Sequence, residues 1–319
     1  MIHYIKTWHF KKYYTVILFL VLVLLFVLMS NISEFFLTKD NILNVLNQSS
    51  IDLIISLGMI FAIASKQTDL SIGATMGAVG LASGMLYKYG AGEVNSLLLG
   101  IGIAVMIGLI NGVCVAYGKI DSFIATLAVQ TVIRGIILVI TQARPYYNFG
   151  PVFRYLGTGE LFGIKLPIII SFILTFVCLV IFNYTKHGHY VKFLGSNEVA
   201  LHRMGVNANK IKIFVFVANA VLAGLAGLIM TSRLNSAEPL AGQGYEIEAI
   251  SIVVLGGTSA NTGNVTVIGT VLACFIINII ENGLILVGVS THYQRIVTGT
   301  ILLIAVFFSE RNRRKTSEF

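Results

Sequence analysis

Residues Tyr14–Ser30 read YTVILFLVLVLLFVLMS, seventeen positions without a charged side chain, and lysines stand just before them at positions 6, 11 and 12. Crossing the hydrocarbon core of a bilayer takes about 20 mostly apolar residues, which this run supplies once its flanks are included. A basic flank before an apolar run is also the plan of a secretory signal, but no small-residue cleavage site follows, so the run reads as a retained first span. Similar runs recur at about 46–65, 69–87, 95–117, 122–141, 167–184, 211–231, 246–262, 265–287 and 295–309. Ten spans are expected, and with them an all-α polytopic membrane fold, because a helix satisfies its own backbone hydrogen bonds in lipid.

Composition agrees with this reading. Of 319 residues, 56% are hydrophobic and 11% charged, and mean hydropathy is +0.86. Soluble domains carry about 25% charged residues, and a soluble body of this length has too little interior for so much apolar surface. A disordered chain, a secreted disulfide scaffold and a compact soluble enzyme are excluded. Cys114, Cys178 and Cys274 all lie in apolar runs without a CxxC spacing, so they are expected to pack as small hydrophobes.

The net charge of +8 is explained by its distribution. With the N-terminus inside, 14 of the 22 basic residues fall in inner segments and seven in outer ones, leaving Arg134 within a span. That bias satisfies the positive-inside rule. Both termini are expected in the cytoplasm, and the basic excess marks orientation rather than nucleic-acid binding. The chain reads as one transmembrane domain over 1–319, with longer connections at Gln142–Leu166 outside and Thr185–Lys210 inside and a basic tail at 310–319. Gly108-Leu-Ile-Asn-Gly112 and Ile279-Ile-Glu-Asn-Gly283 echo one another on spans of opposite direction, which suits an inverted repeat of spans 2–5 and 7–10.

Polar and small residues within the spans carry the functional signal. Gly73, Gly77, Gly80 and Gly84 share one face of the third span, and Gly108 and Gly112 repeat the spacing on the fourth; such stripes let helix backbones approach closely, as static packing or as a sliding surface. Thr126, Gln130 and Arg134 step by four along the fifth span beside Phe123. An arginine at mid-membrane costs about 2.5–3.5 kcal/mol on insertion scales, so it needs a partner or a wet cavity. Asn278, Glu281 and Asn282 form a second cluster. Two readings fit: an Arg134–Glu281 ion pair that holds helices together, or a polar route for a hydroxylated solute to which Asn111 and Asn219 contribute. No catalytic constellation or metal-ligand spacing is evident. A G-x-x-x-x-G-K-[ST] phosphate loop is absent from the sequence, so ATP would be bound by another subunit.

The inner loop 185–210 contains Gly195-Ser-Asn-Glu-Val-Ala-Leu-His-Arg-Met-Gly205. Asn197 suits an N-cap, Glu198 a helix N-terminus and Gly205 the C′ position, which predicts a two-turn helix. So short a helix is marginal alone; it is expected to dock on a partner or to rest at the bilayer surface.

These residues resemble the permease subunits of ribose-type importers of the ATP-binding-cassette class, within the branched-chain amino acid/ribose permease superfamily, which serve monosaccharides and the related autoinducer-2 sugar signal. The family's loop runs Gly-x-Asn-x-x-Ala-Ala-x-x-x-Gly-Ile, matched here at Gly195, Asn197, Ala200 and Gly205, with Leu201 and Val206 at the second Ala and the Ile. Thr68-Asp-Leu-Ser-Ile-Gly73 is similar to its G-I-D-L-S-V-G, and Phe123-Ile-Ala-Thr-Leu127 with Arg134-Gly135 to its F-I-A-T-L…R-G. Gly256-Gly-Thr-Ser259 through Gly269-Thr270, Asn282-Gly-Leu284 and Tyr293-Gln294 follow its C-terminal signature. Four blocks in order over roughly residues 50–310 make the resemblance specific, although Thr262 and Val265 replace usual glycines and Asn264 a frequent Arg.

The resemblance implies a permease of the bacterial cytoplasmic membrane that moves a ribose-like sugar inward by alternating access. It implies a second permease copy or paralogue, a cytoplasmic ATPase carrying ATP and Mg, and an extracytoplasmic sugar-binding protein. This chain would then be no enzyme and hold no cofactor itself. The short helix becomes the ATPase coupling element, with Gly195, Asn197, Glu198, Ala200, His202, Arg203 and Gly205 as its residues. Asp69, Ser71, Asn111, Phe123, Thr126, Gln130, Arg134, Glu281 and Asn282 become candidates for the passage. An ion-coupled transporter without an ATPase is the alternative, with Glu281 as the intramembrane carboxylate it would need; a polytopic membrane enzyme is the third reading.

Overall fold

The protein is described here by a computed structural model, which covers residues 2–259 and 263–290 with 293, 296, 299, 300 and 303, and residues 2–12 by backbone alone. The expected tenth span, 295–309, falls almost entirely outside the described residues; Thr262, Gln294 and the tail 310–319 lie wholly outside them. Helices in chain order are α1 (Ile2–Ile32), α2 (Lys39–Ala64), α3 (Ile72–Lys88), α4 (Glu93–Ala116), α5 (Ser122–Thr141), α6 (Pro151–Thr158), α7 (Leu166–Tyr184), α8 (Lys186–Ser196), α9 (Glu198–Arg203), α10 (Ala208–Leu234), α11 (Tyr245–Leu255) and α12 (Val267–Leu286).

Among the described residues, seven helices are long and apolar enough to cross a membrane: α1 from Tyr13 onward, α2, α4, α5, α7, α10 and α12. Two expected spans are shorter than a full crossing. At 1.5 Å per residue, α3 with 17 residues is about 25 Å long, and α11 with 11 is about 16 Å. The expected span 246–262 is therefore corrected: its helix stops at Leu255. Glycines are the physical reason. Gly244 (φ 93°) opens α11 and Gly257 (φ 85°) closes it, with Gly257 N–H donating to Val254 O at 3.0 Å and Thr258 N–H to Val253 O at 3.2 Å, a glycine-terminated cap. Beyond it, Thr266 Oγ1 donates to Gly256 O at 2.6 Å and Ser259 pairs with Asn264.

Polar caps fix the ends of the long helices. Asp121 accepts from Phe123 N at 3.0 Å to start α5, and Asn207 accepts from Lys210 N at 3.2 Å to start α10. The core is built around α2, buried almost continuously from Ser49 to Ala64, and α10, which presents Val215, Ala223, Ala226 and Ile229 to it. Cys178 and Cys274 are buried and Cys114 half-buried. By contrast α1 and α5 expose large apolar side chains, Val139 at 79%, as lipid-facing or subunit-facing helices do.

The glycine stripe of α3 lies against backbone and small groups: Gly73 and Gly77 against the carbonyls of Gly242 and Ala241, Gly80 against Thr231, Gly84 against Ala237 and Phe149. Gly108 and Gly112 of α4 lie on the backbone of α10 at Val217 and Ile213. At one end of the bundle, strands β1 (Tyr146–Tyr147) and β4 (Ser236–Ala237) form an antiparallel ladder, and a second ladder joins β2 (Glu160–Leu161) to β3 (Ile164–Lys165). Phe149 and Phe153 stack beside the first, with ring centroids 4.5 Å apart.

A Cβ at Gly112 would come within 2.8 Å of Ile213 Cα, whereas one at Gly102 on the same helix meets nothing within 4 Å. Gly112→Leu is expected to destabilise the bundle by about 1–3 kcal/mol through overpacking, and Gly102→Leu to leave it unchanged or slightly firmer. Thermal unfolding of the detergent-purified variants checks this; equal melting curves would refute the close packing of α4 on α10.

Candidate functional site

The chain passes from α2 to α3 through a non-helical segment in which Ser65, Asp69 and Ser71 are buried. Asp69 organises it. Its Oδ1 accepts from Ser71 N at 2.9 Å and Ser71 Oγ at 2.7 Å, and its Oδ2 accepts from Asn219 Nδ2 of α10 at 3.0 Å. Asn111 Nδ2 of α4 donates to Ser71 Oγ at 2.7 Å. From α5, Ser122 Oγ accepts Thr68 N–H and Thr126 Oγ1 accepts Leu70 N–H, each at 3.0 Å. Four of the expected passage residues, Asp69, Ser71, Asn111 and Thr126, thus come together in a packed interior, each at 1% exposure or less.

Further along α5 the polar row opens. Phe123 is half-exposed and Gln130 and Arg134 are partly exposed. Arg134 Nη1 donates to Ala241 O at 2.8 Å and Pro239 O at 3.3 Å, carbonyls of the connection between α10 and α11. That connection reaches the arginine because Gly73 and Gly77 leave room for it on α3. The Arg134–Glu281 ion pair is not formed; the carboxylate in the arginine's electrostatic field is Glu246 of α11. Glu246 is 8% exposed, and its Oε1 accepts from Gln130 Nε2 at 3.4 Å.

Glu281 and Asn282 belong to a separate polar region. Asn278 Nδ2 donates to Asp52 Oδ2 at 3.0 Å, and Asp52, Glu248 and Glu281 share one electrostatic neighbourhood where α2, α11 and α12 meet. Asn282 and Asn41 exchange amide bonds of 2.8 and 3.0 Å between α12 and the start of α2. Sequence reasoning passed over Asp52, Glu246 and Glu248. Asp52 carried a readable signal, since it stands inside the run 46–65, so Glu281 is not the sole carboxylate within a span. Among the described residues, no three His, Cys, Asp or Glu side chains are placed to share a metal ion.

On the inner-loop side, α9 has the caps its sequence predicts. Asn197 Oδ1 accepts from Ala200 N at 2.9 Å, Gly205 adopts φ 76° and its N–H donates to His202 O at 3.0 Å. A second helix, α8, precedes it, and Gly195 lets α8 settle on the Ala64 carbonyl at the end of α2. Burial of Lys192 lowers its pKa below the usual lysine value, and its Nζ donates to Phe182 O at 2.6 Å. Leu201 anchors α9 in the core, while Val199, His202, Arg203 and Met204 stay exposed. Glu198 bridges to Lys212 of α10 at 2.7 Å. Beside this bridge lies a cavity of about 490 Å³ lined by Lys66, Lys119, Ser122, Glu198 and Lys212, among others.

A family described as "Branched-chain amino acid transport system / permease component" matches residues 41–306. The chain belongs to that family. Among similar proteins, the permease is 40% identical to the ribose import permease protein RbsC of Haemophilus influenzae, over 90% of each chain. Identity to RbsC of Bacillus subtilis is also 40%, over 92% of each, and to the D-allose transport system permease protein AlsC of Escherichia coli 34%, over 92% of this chain and 90% of that one. No solved structure matches it. With seven span-capable helices and permeases as relatives, it is a multi-pass membrane protein. The matched region contains the Asp69 segment, the α5 row and α9.

Removing Asn219 would leave Asp69 Oδ2 buried without its donor. Asn219→Ala is expected to lower the permease's stability by about 1–3 kcal/mol. Asn282→Ala, in a half-buried amide pair, should cost about 0.5–1.5 kcal/mol. Detergent thermal unfolding ranks the two; a larger loss for Asn282→Ala would refute the central place of Asp69.

Proposed function

We propose that this permease is the membrane subunit of an ATP-driven importer that moves a ribose-like monosaccharide inward by alternating access. It works with a second permease copy or paralogue, a cytoplasmic ATPase that holds ATP and Mg, and an extracytoplasmic sugar-binding protein, in the bacterial cytoplasmic membrane. The names of the relatives support the substrate class. The basic residues support cytoplasmic termini, an inverted repeat of segments 2–5 and 7–10, with α3 and α11 as its short members, completes the reading, and the chain itself is no enzyme.

The observation that carries the coupling is the path through α10. Lys212 of that helix holds Glu198 of α9, and Asn219, seven residues on and so near the same face, holds Asp69. A push on α9 by the ATPase is delivered along one helix to the segment that ties α3, α4 and α5 together. Gly195, Asn197, Ala200 and Gly205 shape the coupling helix; Glu198, His202 and Arg203 are its polar contacts. Phe123, Gln130 and Arg134 line the passage, and Asp69, Ser71, Asn111 and Thr126 hold its wall in shape. Glu281 and Asn282 sit at the far side, where Asp52, Glu248 and Glu281 would serve an ion-driven mechanism instead.

Uptake into proteoliposomes separates these mechanisms. Labelled ribose is expected to accumulate only with ATP, ATPase and binding protein present; accumulation on an ion gradient without the ATPase would overturn the proposal. Glu198→Ala and Gly205→Val are expected to insert normally and to lower both ATPase co-purification and uptake about tenfold, the effect of losing roughly 1.4 kcal/mol of docking. Wild-type yield of ATPase with intact uptake would overturn the coupling assignment.

A further inference from the structure

Where α5, α11 and the α10–α11 connection meet, a guanidinium and a carboxylate lie within one electrostatic neighbourhood without forming an ion pair. Arg134 is drawn back by the Pro239 and Ala241 carbonyls on Nη1, and Glu246 is held on Oε1 by Gln130. Arg134 Nη2 and Glu246 Oε2 are both buried and make no hydrogen bond among the described residues. Glu246 stands in the first turn of α11, and Gly73 puts no side chain between it and α3.

The geometry points to Glu246 as a solute-binding residue of the passage, one that accepts a hydrogen bond from a sugar hydroxyl while Arg134 donates one to a sugar oxygen. This rests on the passage reading above. One wall thus offers a lone charged acceptor and a lone charged donor, and a hydroxyl-rich solute satisfies both because each hydroxyl donates and accepts. Together the opposed charges carry no net charge, so neither a cation nor an anion gains a net electrostatic advantage over a neutral polyol. Binding also relieves a strain of the free protein, since a buried charged group short of hydrogen bonds is destabilising. Gln130 is a positioning residue, fixing the Glu246 carboxylate so that Oε2 points away from α5's amide.

The test uses the complete importer in proteoliposomes, with wild type, Glu246→Gln and Glu246→Ala. Ribose and its monodeoxy analogues are the solutes, each first shown to bind the sugar-binding protein. Glu246→Ala is expected to lower ribose uptake about tenfold, as for one charge-assisted hydrogen bond, at unchanged complex yield. Glu246→Gln, which keeps a carbonyl acceptor, falls between. One deoxy analogue is expected to be carried equally by wild type and both variants, because the hydroxyl that Glu246 reads is missing from it. Ribose uptake at the wild-type rate in both variants overturns the inference, and so does an equal fractional loss for every analogue, which marks a purely structural residue. Should Glu246→Ala fail to assemble, the Glu246→Gln comparison decides by the same criteria. A wild-type importer that carries no monosaccharide at all overturns the sugar reading itself, and this inference with it.

Discussion

Inside a bilayer no water satisfies an unpaired amide, so wherever a helix is interrupted the protein has to supply the missing partners. Asp69 is that supply for the segment between α2 and α3. Its two oxygens hold Ser71 and Asn219, and the hydroxyls of Ser122 and Thr126 take the neighbouring amides of Thr68 and Leu70. Because the partners come from α4, α5 and α10, the interruption is also the place where three helices are tied to α3. Helix α3 begins directly after this tie, at Ile72, and its Gly73 and Gly77 leave room for the α10–α11 connection.

What could be read in the sequence was whatever depends on local pattern. Apolar runs located the long helices because lipid solvation acts on each segment separately, and α5 matches the run 122–141 residue for residue. Asn197 and Gly205 predicted both ends of α9 because caps act within one turn. Illegible was anything set by contacts distant in sequence. Arg134 finds carbonyls more than a hundred residues away, and no spacing rule announces a backbone acceptor, so Glu281 looked like the natural partner. The run 246–262 is apolar enough for a span, yet paired glycines at 256 and 257 end its helix; hydropathy registers the composition and not the backbone turn.

Length gives α10 a second use. A continuous 27-residue helix touches α9 near its start through Lys212, the Asp69 segment through Asn219, and α6 near its end, where Ser232 Oγ accepts Gly157 N–H at 2.7 Å and donates to Phe153 O at 2.7 Å. Glycines 108 and 112 let α4 lie directly on it. A packed helix of this kind transmits displacement with little loss, since close-packed interiors resist compression. The α9 contact and the Asp69 segment therefore share one rigid element.

Buried polar groups differ in how fully the fold satisfies them. Asp69 has both oxygens satisfied, so removing a donor exposes a desolvation cost. Arg134 and Glu246 each keep one atom unsatisfied, as Asn111 and Asn219 do beside Asp69. The arginine and the glutamate are held on their other atoms by Pro239, Ala241 and Gln130, groups on two different elements. A group with such a spare atom can take a further partner without breaking a bond the fold has already made.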